Sequence, residues 1–217
     1  MILTSHFSDV EFIPDGHLDK KEWMRASRVI FHQDAFVRCD YPEIETSVAS
    51  LWTHNHLYLA FWCRYAELNL FAPGDECAPG KELWTRDVVE TFIAPQFGPI
   101  THYYEIEISP DDRSLELRIS RNESRLDREK WLSGCEHAAL IEPARKRWTV
   151  ELRIPARSLG VRIAPEVDWR INLCRADGAG SDEQRRLLSW APLNTGIRSF
   201  HQPDSFGTLR FATLKDR

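Results

Sequence analysis

The 217-residue chain predicts an all-β fold: a two-sheet antiparallel β-sandwich, jelly-roll or immunoglobulin-like in outline, with one or two short helices. Three observations predict it. Apolar and polar residues alternate at a period of two in several short runs. Turn-forming residues separate those runs. No long stretch of helical periodicity lies between them, so neighbouring strands are expected to pair antiparallel and to bury their apolar faces between two packed sheets. Pro and Gly are scattered singly, and no repeat or low-complexity segment divides the chain. A single domain spanning 1–217 is therefore expected, large enough to bury a core without staples.

Each element has its own warrant. Asp19-Lys20-Lys21-Glu22-Trp23 puts an acceptor at an N-cap with Glu three residues later, which predicts a short capped helix. Residues 45–53 and 57–64 are β-prone and flank His54-Asn55-His56, a hairpin tip. Residues 87–94 form a third strand that stops at Pro95. In 101–109, Tyr104, Ile106 and Ile108 face one way, and Tyr103, Glu105 and Glu107 the other. After the turn Pro110-Asp111-Asp112, Leu115, Leu117 and Ile119 alternate with Glu116 and Arg118, completing a hairpin. Residues 122–131 are charged and read as a short helix or a long loop. In 147–155, Trp148, Val150, Leu152 and Ile154 share one face. Residues 155–160 read as one turn ending at Gly160. Strands at 168–175, 186–190 and 206–214 close the chain.

Composition narrows the function. The formal net charge is -5, which argues against a nucleic-acid partner, because phosphate binding wants a basic surface. No apolar run approaches a membrane span. The first fourteen residues lack a basic start followed by an apolar run, so no secretory signal is read and a cytoplasmic location is expected. Five cysteines (Cys39, Cys63, Cys77, Cys135 and Cys174) form no Cys-x-x-Cys pair, and a reduced compartment is the simpler reading.

Eight tryptophans in such a chain suggest a binding surface. Trp84 and Trp190 flank loops, whereas Trp62, Trp148 and Trp169 sit within alternating runs and read as core. Trp84 stands six residues before Glu90, at the mouth of a strand. An aromatic ring stacks on the C–H face of a sugar, and a carboxylate accepts from its hydroxyls, so the expected ligand is a mono- or oligosaccharide. Arg175 ends the core stripe Trp169, Ile171, Leu173; set beside Glu90, it would add a donor fork suited to vicinal hydroxyls, and the alternative is a plain ion pair. The candidate ligand-binding residues are Trp84, Glu90, Arg175 and Trp190. Glu105 and Glu107 share a strand face and read as a solvated surface, or one of them, paired with Glu90, as the carboxylates of a glycan-active hydrolase. A protein-interaction sandwich is the third reading. His54 and His56 lack a third metal ligand in sequence, and no nucleophile elbow, P-loop or dinucleotide fingerprint is present.

Taken together, the residues resemble the carbohydrate-binding module family 9-like domains over nearly the whole chain. The resemblance is carried by Asp15-Gly16-His17-Leu18-Asp19 with Trp23 and Ala26; Ala49-Ser50-Leu51-Trp52 before Leu57-Tyr58-Leu59-Ala60-Phe61; Trp84-x-x-Asp87-x-Val89-Glu90; Tyr104-Glu105-Ile106 with Ser109-Pro110; Trp148-Thr149-Val150-Glu151 with Ile154-Pro155; Asn172 and Arg175; Ser189-Trp190; and Phe200-His201 with Phe206-Gly207. It implies a non-catalytic β-sandwich that binds sugars between two facing tryptophans, here Trp84 and Trp190, with Glu90 and Arg175 as polar contacts. Such modules are often appended to glycoside hydrolases, which implies a link to carbohydrate catabolism. The family also implies structural calcium held by acids near the first hairpin. That tip reads Thr53-His54-Asn55-His56 here, so no cofactor is expected.

Overall fold

The computed structural model describes residues 1–72, 82–121, 125–181 and 183–212; Cys77 and the ends of the expected elements at Asn122 and Leu214 lie outside them. In chain order the elements are β1 (Ile2–Phe7), α1 (Lys21–Arg25), β2 (Arg28–Phe31), β3 (Thr46–Trp52), β4 (His56–Arg64), β5 (Val88–Ala94), β6 (His102–Ile108), β7 (Ser114–Arg121), β8 (Leu126–Lys130), β9 (Glu136–Glu142), β10 (Arg147–Pro155), β11 (Asp168–Asp177), β12 (Arg186–Ser189) and β13 (Gly207–Phe211). Among the described residues, no helix is long and apolar enough to cross a membrane.

The strands form two leaves, β8-β7-β6-β5-β11-β13 and β3-β4-β10-β9, with β12 added to β11 and β2 to β3. The leaves pack face to face. Val89 and Ile93 of β5, Ile106 and Ile108 of β6, and Ile171 and Leu173 of β11 share one core with Val48 of β3, Phe61 of β4 and the Trp148–Ile154 stripe of β10. This is the β-sandwich expected from the alternation, and the parity read from the sequence holds on β5, β6, β10 and β11.

Four details differ from the sequence reading. First, the leaves are not separate: β1 runs between β13 and β3 and hydrogen-bonds to both, giving one continuous ladder that does not close, since β8 and β9 end it. Second, both β1 pairings are parallel, with Leu3 opposite Leu209 and Ser5 opposite Ser50. Neither neighbour is joined to β1 by a hairpin, so nothing local imposes an antiparallel match. Third, the charged segment read as a helix or loop contains β8, pairing Ile119 with Arg128. An edge strand needs little apolar character, and charge there discourages further pairing. Fourth, α1 has no side-chain cap. The Lys20 ammonium instead binds Asp15, the His17 carbonyl at 2.7 Å and the buried Glu151 at 2.8 Å.

Both outer faces are covered. Trp23 of α1 and Leu18 bury Leu51, Tyr58 and Trp62 of the second leaf, and the Trp23 indole N–H donates to Glu151 at 2.7 Å. On the first leaf, Phe36, Leu193, Phe200 and Phe206 come from loops and pack over Val88, Phe92, Tyr103 and Cys174. A fully buried large apolar side chain contributes about 1.5–3 kcal/mol, so these two coverings stabilise the sandwich as well as shape its outer faces.

Candidate functional site

The outer face of the first leaf carries the chemistry. Strand parity points Glu90 on β5 and Glu105 and Glu107 on β6 to this side, with Glu90 directly opposite Glu107 and Phe92 opposite Glu105. Carboxyl oxygens of all three lie within 4.8 Å of one another. They are 4%, 2% and 0% exposed, which corrects the solvated face expected for Glu105 and Glu107: the covering loops take that face out of water. Burial pushes the Glu105 carboxyl up to about 7, against the pull of Arg128. Burial, followed by the charges of Glu90 and Glu105, raises Glu107 well above the usual carboxylate range. Like charges held opposite on adjacent strands repel, and low dielectric magnifies the effect.

A cavity of about 160 Å³ opens above Glu90 and Glu105. Trp84, Phe36 and Phe200 supply its aromatic walls, and Arg128, Arg185, Arg198 and His201 its polar ones. Each wall is positioned. Trp84 sits in the 3-10 turn Leu83–Thr85, its carbonyl accepting from Arg185 and its ring lying 5.8 Å below the Arg128 guanidinium. Asp87 anchors the end of that turn: its carboxylate accepts from the Asn69 N–H at 2.9 Å and the Gly178 N–H at 2.6 Å. Phe36 and Phe200 stack with centroids 6.0 Å apart.

His201 is a neutral post. Arginine can only donate, so the 3.0 Å contact between Arg128 Nη2 and His201 Nε2 makes Nε2 an acceptor. Its proton is then on Nδ1, which donates to Tyr103 Oη at 2.8 Å. Burial, then Arg128, pushes the imidazole down to about 3, so it stays uncharged around neutrality.

Of the four residues singled out in the sequence, Trp84 and Glu90 line this cavity and two do not. Trp190 is 3% exposed and belongs to the core between the leaves. Its ring lies on Gly207, where an added Cβ would fall 2.5 Å from it. The expected cleft between two tryptophans is therefore corrected: Trp190 follows directly on β12, and the sandwich closes over it. Arg175 also departs from expectation. Its position on β11 opposes Val89, so it points into the sandwich while Glu90 points out. Fully buried, it donates to the carbonyls of Ile44 and Arg64, to Thr46 Oγ1 and to Asp177 Oδ1 at 2.7–3.2 Å. It holds the leaves together at one end of the sandwich.

Sequence reasoning missed Arg128, Phe36, Arg185 and Arg198 as cavity walls. Arg128 lies in a charged run, LDREK, whose sequence shows no buried face. The pair Phe200-His201 did carry a signal, being part of the family resemblance.

At the first hairpin tip, one Glu11 carboxylate oxygen is shared by donors from Thr53, Asn55 and His56 at 2.9–3.1 Å. Calcium takes about six to eight oxygen ligands. The tip offers one carboxylate surrounded by donor groups, so its residues do not fit that ion. His54 instead packs on Phe7 and Trp52, apart from His56.

No family model matches the sequence, and no curated protein does. The fold does have solved counterparts. A crystal structure from Bacteroides uniformis ATCC 8492, of a protein to which carbohydrate binding is ascribed, superposes over 97% of this chain and 98% of its own with a TM-score of 0.74 at 19% identity. A carbohydrate-binding module family 9 from Caldicellulosiruptor kristjanssonii, in complex with glucose, matches over 100% of this chain and 98% of its own with a TM-score of 0.69 at 14% identity. The same module in complex with cellotriose matches with the same score over 96% of its length. The chain has the β-sandwich fold of carbohydrate-binding module family 9 structures.

Proposed function

We propose that the cavity is a carbohydrate-binding site and that the protein is a non-catalytic sugar-binding module. The observation that carries this reading is the convergence of Trp84 and Glu90 on one solvent-reached cavity of about 160 Å³. A volume of about 150 Å³ admits a six-membered ring, so the cavity suits one sugar residue. The Trp84 ring offers a face for C–H stacking, Glu90 accepts from hydroxyls, and the arginine walls donate. The fold counterpart bound to glucose and cellotriose supports the same reading. Phe36 and Phe200 replace Trp190 as the second aromatic wall, and Arg128 and Arg185 take the donor role first assigned to Arg175. By extension the module would serve carbohydrate breakdown by capturing a glycan end.

A hydrolase would need two carboxylates facing each other across the sugar. Glu90 and Glu105 rise side by side from adjacent strands onto one floor, which favours binding over bond cleavage. Isothermal titration with glucose and short glucans tests the proposal. Trp84→Ala should lose about 2 kcal/mol or more of binding, as a central aromatic contact does, while its circular dichroism stays that of the wild type. Equal affinity in the folded variant would sink the assignment.

A further inference from the structure

The acids beneath the cavity are more than a sugar floor needs. Glu107 is wholly buried behind Glu90 and Glu105, does not line the cavity, and so meets no ligand hydroxyl directly. Among the described residues outside the cluster, neither of its carboxyl oxygens nor Glu105 Oε2 has a hydrogen-bond donor; the side-chain hydrogen bond they share is between Glu105 and Glu107 themselves. A buried carboxylate with no donor is costly, and structures resolve that cost with a bound cation or a proton.

The geometry suits a cation. Calcium lies about 2.3–2.6 Å from each oxygen ligand, so two oxygens on one ion are at most about 5 Å apart; carboxyl oxygens of these three residues fall within 4.8 Å of one another. The ligands are all oxygen and come from three acidic side chains, which selects a hard divalent ion such as calcium or manganese over softer metals. Positioning is rigid, since all three residues sit on paired strands β5 and β6 rather than on loops. Glu90 and Glu105 also line the cavity, giving an ion a route in and leaving its remaining coordination positions facing the ligand space.

We propose that Glu90, Glu105 and Glu107 form a binding site for a hard divalent cation under the floor of the cavity. The site shares Glu90 and Glu105 with the cavity but does not require the sugar reading, and it is tested without a sugar. Protein stripped with a chelator is titrated with manganese and with calcium, followed by calorimetry and, for manganese, by loss of the free-ion paramagnetic resonance signal. The expected result is one ion per chain and a rise in melting temperature on adding it. Glu107→Gln, which keeps shape and removes charge, should weaken uptake by at least about tenfold, the smallest effect that even an outer partner of a metal site has. Glu105→Gln provides the same test should the first variant not fold. No uptake by the wild type up to about 1 mM, the weak end for calcium modules, overturns the proposal and leaves shared protons as the resolution. Undiminished uptake in a folded variant overturns it equally.

Discussion

Asp87 shows how a single carboxyl can set both position and pH response. It is fully buried, and it joins the turn bearing Trp84 to Asn69 and Gly178. Burial, then the neighbouring Asp177, pushes it from 3.8 up to about 6, with Arg175 opposing. Between those values the folded chain keeps a proton that the unfolded chain has released, so this group's contribution to stability falls as pH rises from about 4 to about 6. The shift corresponds to a loss on the order of 3 kcal/mol. Asp87→Asn should therefore gain on the wild type by up to that amount between about pH 4 and pH 7. Parallel denaturation profiles for the two proteins would contradict this. At the same scale, Trp84 and Glu90 were legible because a strand mouth and strand parity fix where they point. Arg175 and Trp190 were misplaced: Arg175 continues the Trp169, Ile171, Leu173 stripe into the sandwich, and Trp190, just past β12, is carried into the same core.

Among the elements, strands whose apolar face meets the core were legible and edge strands were not. β5, β6, β10 and β11 alternate because one face is buried against the other leaf. The sequence of β8, LDREK, has no such face to show. Among the described residues it pairs only with β7, and the ladder sets its Arg128 over Trp84. β13 begins where packing leaves no room for a side chain, with Gly207 beneath the Trp190 ring. Gly207→Ala must displace that ring or the strand, at a cost of about 1–3 kcal/mol typical of overpacking. Thermal denaturation measures it, and an unchanged melting temperature would mean that the core yields there freely.

Over the whole molecule, the sandwich was legible and its wiring was not. Periodicity reports which face is buried, but a pairing between β1 and strands 45 or more residues away leaves no local trace. β1 nevertheless unites the leaves: Ser5 and Ser50 bond at 2.8 Å with both side chains buried, and Leu3 lies in the shared core. Its amides should therefore exchange with solvent only on global unfolding, whereas those of the edge strands β8 and β9 should exchange through smaller openings. Hydrogen-exchange mass spectrometry distinguishes the two, and early labelling of residues 2–7 would show that the leaves are held together without β1.

The parallel match of β1 with β13 also sets how the molecule bears a mechanical load. Tension entering at Ile2 and leaving at Phe211 pulls these two neighbours past each other along their length, from Ile2 opposite Thr208 to Ser5 opposite Phe211. All the bonds between them are then strained at once instead of parting one after another like a zip, so a domain tethered through those two ends resists stretching along its strongest direction.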